Sequence, residues 1–200
     1  PTWHEPPAAA EQVIRLDPGL AFGTGTHPTT RMCLRWTAQR DWSGQRVLDY
    51  GCGSGILAIG AAKFGARDIV AVDIDPAAVE STGLNAAANH VTLAAGLPDL
   101  AHGTFDLVLA NILATPLKVL APLLCAHVRS GGHLVLAGIL ARQADELREA
   151  YARYASVNRS QVFDSLYRAD PVQEVTGMAV VRKQFAGLAW RQARELVESA

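Results

Sequence analysis

The chain has 200 residues, a length that excludes two large domains. Half of the residues, 50%, are hydrophobic and 18% are charged, a composition that excludes a disordered protein. Its 18 basic and 19 acidic side chains give a net charge of −1, which argues against a nucleic-acid binder held by a generally basic surface. The three scattered cysteines form neither a disulfide scaffold nor a C-x-x-C pair, so the sequence predicts no metal site.

Strand-like and helical segments alternate along most of the chain. Runs rich in Val, Ile and Leu predict strands at residues 46–50, 69–72, 105–109 and 133–137, with a turn at 130–132 and a last strand at 177–181. Helices are predicted at residues 28–39, 56–64, 76–88, 116–128 and 141–154, and an extra amphipathic piece lies at 188–199. This alternation indicates βαβ units and a parallel sheet with helices on both faces.

The segment after the first predicted strand is a glycine loop that leads into a helix, with the pattern D-x-G-x-G-x-G over residues 49–55. Glycines let a ligand approach the backbone closely, and the first N–H groups of the helix point toward it. Asp73 ends the second predicted strand, where a carboxylate can accept hydrogen bonds from both hydroxyls of a ribose. Because ligands bind at the carboxyl edge of such sheets, the sequence predicts an adenosine-containing cofactor.

Two alternatives stay open for this loop. A dinucleotide fingerprint needs G-x-G-x-x-G, but Ile56 occupies the position of its third glycine, which disfavours a nicotinamide cofactor. A glycine turn without any ligand is the other alternative. Cys52 lies inside the loop, and we interpret it as a small side chain that fills the turn rather than as a reactive thiol.

Residues 16–30 combine glycine, threonine and proline with a single Phe and a single His ahead of the first helix. A flexible linker is the simple alternative, but a loop of this composition can close over a cofactor. Phe22 could cover the cofactor and exclude water, or place its ring near a positive charge. Thr29 or Thr30 could offer a hydroxyl to a carboxylate of the cofactor, whereas His27 is interpreted as structural.

Four segments together resemble the ribosomal protein L-eleven methyltransferase family (PrmA type). They are LDPGLAFGTGTHPTT, DYGCGSGILAIGAAKFGA, VDIDP and DLVLANILATPL. The resemblance implies an α/β, class I S-adenosylmethionine-dependent methyltransferase fold, with a Rossmann-like, mostly parallel seven-stranded sheet and helices on both faces. It also implies S-adenosyl-L-methionine as the cofactor. The reaction that it implies is methylation of lysine and N-terminal amines on a large-subunit ribosomal protein.

Carried over position by position, the resemblance implies cofactor contacts at Thr30, Gly51, Asp73 and Asn111, to which the loops add Gly53 and Phe22. The family's N-terminal recognition domain is expected to be missing from this chain, and the resemblance fades beyond about residue 156. We therefore expect a covering loop with the first helix at residues 1–44, a methyltransferase core at 45–185 and an extra helix at 186–200.

Asn111 follows the third predicted strand, and we expect it to be the catalytic residue. Its amide oxygen can accept a hydrogen bond from a substrate amine and so aim the nitrogen lone pair at the methyl group. The attacking amine must be neutral, and burial near a positive charge lowers its pKa, so no dedicated base is required. The alternative is an asparagine that only caps the following helix.

Two other functions stay open, namely a methyltransferase for another protein or a small amine, and a domain that binds S-adenosyl-L-methionine without turnover. The expected partner is the ribosomal protein substrate, with no direct nucleic acid and no membrane. The sequence has no apolar run of about 18 residues and its first residues lack the pattern of a signal peptide. We therefore expect a cytoplasmic protein.

Overall fold

The computed structural model describes residues 8, 10–17, 23, 25–152, 154, 167–168 and 176–182. The chain divides into two compact units, Pro1–Ala101 and His102–Ala200. No helix among the described residues is both long and apolar enough to cross a membrane. The proposed C-terminal helix at 186–200 lies outside the described residues, and the division at residues 44 and 185 stays a prediction.

The first unit contains three parallel strands and three helices. In chain order they are α1 (Pro28–Ala38), β1 (Arg46–Tyr50), α2 (Ile56–Lys63), β2 (Asp68–Val72), α3 (Pro76–Ala88) and β3 (Ala94–Gly96). The strands lie in the order β3-β2-β1, with Leu48 in register with Val70 and Val70 in register with Ala94. The parallel pairing places the loops that follow β1, β2 and β3 at one edge of this part of the sheet.

Burial and capping explain why these segments fold as they do. Val47 and Leu48 of β1 are fully buried, as is expected of a strand covered on both faces. Helix α3 begins with Pro76 in its first turn, and Asp75 caps it by accepting the N–H of Ala77 at 2.9 Å. The bounds predicted for β1 (46–50) and α3 (76–88) are the same as those in the structure.

The second unit contains four strands and three helices among its described residues. They are β4 (Phe105–Asn111), α4 (Ala114–Val119), α5 (Ala121–His127), β5 (Val128–Leu140), α6 (Ala144–Ala152), β6 (Tyr167–Arg168) and β7 (Thr176–Arg182). The order is β4-β5-β7-β6, in which β4 and β5 are parallel and β7 runs antiparallel to both of its neighbours. Among the described strands, three of the five pairings within the two units are parallel, and a single sheet of seven strands stays a prediction.

The helix predicted at residues 116–128 is divided into α4 and α5 at Leu120. Pro122 lies in the first turn of α5, and a proline there lacks the N–H that a continuous helix needs and crowds the carbonyl four residues earlier. The turn predicted at 130–132 lies inside β5, whose pairing with β4 shifts register, since Phe105 pairs with Val128 but Leu107 with His133. The carboxyl end of β4 is Asn111, two residues beyond the predicted end at residue 109.

Candidate functional site

The glycine loop between β1 and α2 is tied to the end of β2 by backbone hydrogen bonds. The N–H groups of Gly51 and Cys52 both donate to the carbonyl of Val72, at 2.8 and 3.0 Å. Gly51 has φ +80° and Gly53 has φ +55°, a left-handed conformation that favours glycine. The loop therefore needs glycine at these positions for its path as well as for close approach of a ligand.

Asp73 directly follows β2 and contacts the same loop. Its Oδ2 accepts the N–H of Gly53 at 2.9 Å, and its Oδ1 accepts the N–H of Asp75 at 3.1 Å. An ionised carboxylate has about four lone-pair sites, so each oxygen can still accept a hydroxyl. The structure thus brings the predicted residues Asp73, Gly53 and Gly51 together.

Large apolar side chains are exposed next to Asp73, at the carboxyl ends of β2 and β3. Ile74 is 82% exposed and Leu97 is 51% exposed, and the N–H of Asp73 donates to the carbonyl of Gly96 at 3.1 Å. Apolar surface beside a few fixed polar groups is typical of small-ligand sites. These residues were not predicted, because a single apolar residue after a strand carries no distinct sequence signal.

The loop that precedes α1 lies against the glycine loop. Ser54 donates its hydroxyl to the carbonyl of Gly23 at 2.6 Å, and a Cβ placed on Gly25 would lie 2.9 Å from Cδ1 of Ile56. Gly23 and Gly25 thus lie beside the glycine loop, and a covering role for residues 16–30 stays a prediction. Phe22 itself lies outside the described residues.

Thr30 and His27 lie at the start of α1. Thr30 is buried, with 2% of its surface exposed, in the first turn of the helix. The ring of His27 caps the helix, since its Nδ1 accepts the N–H of Thr29 at 3.3 Å. His27 therefore has the structural role that the sequence suggested.

Burial raises the pKa of two side chains in and next to the glycine loop, Cys52 and Asp49. Burial, with the Asp49 charge as the second cause, raises the pKa of Cys52 to about 12, so this thiol is not a reactive thiolate at neutral pH. Burial also raises the pKa of Asp49 from 3.8 to about 7. Asp49 Oδ2 accepts the N–H of Ala58 at 3.0 Å, whereas its Oδ1 has no hydrogen-bond partner among the described residues.

Helix α3 contributes two polar side chains that the sequence analysis missed. The hydroxyl of Thr82 donates to the carbonyl of Gly53 at 3.0 Å, and Nδ2 of Asn85 donates to the carbonyl of Ser54 at 2.9 Å. Both side chains are buried. Their signal was a pair of polar residues at helical spacing inside an Ala-rich helix, where Thr and Asn are disfavoured unless they bond elsewhere.

In the second unit, Asn111 is the last residue of β4 rather than a residue of the following loop, and it is half-buried. It lies in register with Ala137 of β5. The residue that precedes α4 at its N-cap is Leu113, so the alternative that Asn111 merely caps this helix is wrong. The described residues contain no group of three or more His, Cys, Asp or Glu side chains that could hold a metal ion.

Comparison with known proteins assigns the chain to a family. The family model described as "Ribosomal protein L11 methyltransferase (PrmA)" matches residues 1–163. Two similar curated proteins are named ribosomal protein L11 methyltransferase. The one from Polaromonas sp. is 74% identical over 167 residues, which cover 82% of this chain and 55% of that protein. The one from Ralstonia pickettii is 60% identical over 153 residues, covering 76% and 51%.

Solved structures confirm the α/β methyltransferase fold. The ribosomal protein L11 methylase from Lactobacillus delbrueckii subsp. bulgaricus superposes with a TM-score of 0.76 at 34% identity, covering 90% of this chain and 91% of that chain. A methyltransferase from Pyrococcus furiosus, at 18% identity and a TM-score of 0.58, shares the fold alone over 80% of this chain and 87% of that one. The chain spans about half the length of the curated relatives it matches. By these matches the chain belongs to the ribosomal protein L11 methyltransferase (PrmA) family.

Proposed function

We propose that the chain binds S-adenosyl-L-methionine and transfers its methyl group to lysine and N-terminal amines of ribosomal protein L11. The observation that carries the proposal is the 2.9 Å hydrogen bond from Gly53 to Asp73, which joins the glycine loop to the acidic residue after β2. Family membership supplies the reaction and the substrate that this geometry can serve.

The residues present fit the adenosine part of this cofactor. Both oxygens of Asp73 already accept one backbone N–H each, which fixes the carboxylate, and both keep acceptor capacity for the two ribose hydroxyls. Gly51 and Gly53 offer backbone without side chains. The exposed apolar side chains of Ile74 and Leu97 offer contact surface for an adenine ring.

Three further residues keep the roles that the sequence predicted for them. Thr30 would hold the carboxylate of the cofactor through its hydroxyl, at the start of α1. Phe22 keeps its proposed role as the residue that covers the cofactor and excludes water. Asn111, at the carboxyl end of β4, is proposed both as a cofactor contact and as the residue that orients the substrate amine.

When bound, S-adenosyl-L-methionine supplies a methyl group activated by a sulfonium leaving group. The protein's own contribution is alignment, which in well-oriented intramolecular reactions is worth as much as about 7–11 kcal/mol. The amide oxygen of Asn111 would accept a hydrogen bond from the amine and direct its lone pair. A free lysine, with a pKa near 10.4, is less than about 0.1% neutral at pH 7, so activity is expected to rise with pH until the bound amine is deprotonated.

The proposed setting is the cytoplasm, where the ribosomal protein substrate is made. The net charge of −1 favours recognition of the protein rather than of nucleic acid.

Methyl transfer tests this proposal directly. The purified chain is incubated with methyl-labelled S-adenosyl-L-methionine and purified ribosomal protein L11, and labelled positions are found by peptide mass spectrometry. Label on lysine or the N-terminal amine, absent when Asp73→Ala replaces the wild type, supports the proposal. If the wild type binds the cofactor but labels neither ribosomal protein L11 nor a small amine, the chain is a binding domain without turnover.

A further inference from the structure

The side chain of Asn85 joins two segments that are far apart in the sequence. Its Oδ1 accepts the backbone N–H of Asp17 at 2.9 Å, and its Nδ2 donates to the carbonyl of Ser54 at 2.9 Å. Asn85 is only 2% exposed, in the last turn of α3. One buried amide therefore fixes both the glycine loop and the segment that leads into the covering loop.

We name residues 13–17 the strap, since this segment runs along α3 and leads into the glycine-rich part of the covering loop. Asn89, one helical turn after Asn85, accepts the N–H of Arg15 at 2.8 Å and donates to the carbonyl of Arg15 at 2.6 Å. Asn85 in α3 and Asn89 at its C-cap lie on the same side of the helix, as residues four apart do, and they bond to alternate residues of the strap. Together they hold the strap much as a neighbouring strand would.

The two asparagines differ in their remaining contact. The other hydrogen bond of Asn89 goes to the carbonyl of Asn85 within α3, at 2.7 Å. Asn85 instead bonds to Ser54, which is fully buried and whose hydroxyl reaches the carbonyl of Gly23 at 2.6 Å. Only the Asn85 side chain of this pair thus connects the strap with the glycine loop.

We propose that Asn85 is a positioning residue that couples the position of the strap to the position of the Ser54 peptide, and so to the path of the glycine loop. Without this amide, the Ser54 carbonyl and the Asp17 N–H lose a buried partner, and the loop must shift or take in water to satisfy them. The consequence is that cofactor affinity depends on the strap, although the strap carries no predicted cofactor contact. This inference rests on the proposed function, because it assigns the loop to the cofactor.

The test compares Asn85→Leu with Asn89→Leu as a matched pair. Both changes replace a buried amide by an apolar side chain of similar size, and both release the strap, but only the first releases Ser54. Calorimetric titration with S-adenosyl-L-homocysteine gives the affinity, and thermal unfolding gives the stability. We expect Asn85→Leu to weaken binding at least tenfold and Asn89→Leu less than threefold, at similar losses of Tm. The smaller pair Asn85→Ala and Asn89→Ala is measured in parallel, so that the comparison does not depend on one variant folding.

Equal loss of affinity in the two variants of a pair would overturn the proposal, because it would reduce Asn85 to general support of α3. Unchanged affinity in Asn85→Leu or Asn85→Ala would overturn it as well. Failure of the proposed cofactor site is distinguishable, since the wild-type chain would then bind no S-adenosyl-L-homocysteine at all, and failure of methyl transfer alone would leave this comparison of affinities intact.

Discussion

Asp73 accepts the backbone N–H of Gly53 at 2.9 Å, so the acidic residue proposed to bind the ribose also holds the glycine loop in place. This double role explains why the loop and the acid occur together in the sequence. It also means that a substitution at Asp73 removes a loop contact as well as a ligand contact. Asp75→Ala is the control for Asp73→Ala, because the Asp75 carboxylate is exposed and caps α3 by accepting the N–H of Ala77.

Gly23 is predicted to tolerate no side chain. It has φ +105°, and a Cβ there would lie 2.7 Å from Oγ of Ser54, the hydroxyl that donates to its own carbonyl. Gly23→Ala should therefore displace the covering loop from Ser54 and weaken cofactor binding by about tenfold, or roughly 1.4 kcal/mol.

Gly44→Ala is the matched control for this prediction. Gly44 also has a positive φ, +73°, but no described atom lies within 4 Å of the position of its Cβ. Gly44→Ala should therefore lose only about 1–2 kcal/mol of stability, because alanine disfavours the left-handed conformation, and its affinity for the cofactor should be unchanged. Equal affinities for the two variants, measured by titration calorimetry, would contradict the contact between the two loops.

Asp49 is predicted to make the stability of the fold fall as pH rises. Burial raises its folded-state pKa from 3.8 to about 7. Below pH 3.8 both states are protonated, whereas between 3.8 and about 7 the folded state keeps a proton that the unfolded state loses. The free energy of unfolding therefore declines across this window, by up to about 4 kcal/mol.

Asp49→Asn removes this titration and keeps an acceptor for the N–H of Ala58. Urea unfolding at several pH values from 4 to 8 checks the prediction. The stability of the variant relative to the wild type should increase steadily up to about pH 7. A constant difference over this range would show that Asp49 is already ionised in the folded protein at acidic pH.

Asn111→Ala is expected to separate catalysis from cofactor binding. If its amide oxygen orients the amine, kcat should fall by about a hundredfold, the size seen when one preorganised hydrogen-bonding group is removed. The Kd for the cofactor should change much less. Steady-state methylation and calorimetry measure the two quantities, and Thr115→Ala, an exposed change in α4, serves as the control. Wild-type kcat in Asn111→Ala would remove this residue from the mechanism.

Five of the seven described strands, and the edge that carries the proposed site, could be predicted from the sequence. β1 and β2 are short Val/Ile/Leu runs that end at a glycine or an acid, so their ends, and the places of Gly51 and Asp73, followed from local pattern. β3 was missed because it has three residues, Ala94–Gly96, and no β-branched or aromatic side chain.

The contacts that depend on tertiary structure could not be predicted. The pairing of Asn85 with Asp17 spans 68 residues and has no local signal beyond an asparagine in a helix. The break at Leu120 follows from Pro122, but the Ala- and Leu-rich composition around it favoured one longer helix. For Asn111, the sequence allowed a capping role that only the position of α4, which starts after Leu113, excludes.

Calorimetric titration of the wild type, Asp73→Ala and Asp75→Ala with S-adenosyl-L-methionine measures whether Asp73 and the glycine loop hold the cofactor. We expect saturable one-to-one binding by the wild type and by Asp75→Ala, and a loss of at least about tenfold in affinity, or roughly 1.4 kcal/mol, in Asp73→Ala. Thermal unfolding of the three proteins shows whether Asp73→Ala is still folded. An affinity unchanged by Asp73→Ala, or a wild type that binds no cofactor, would contradict the claim that Asp73 and the glycine loop form the cofactor site.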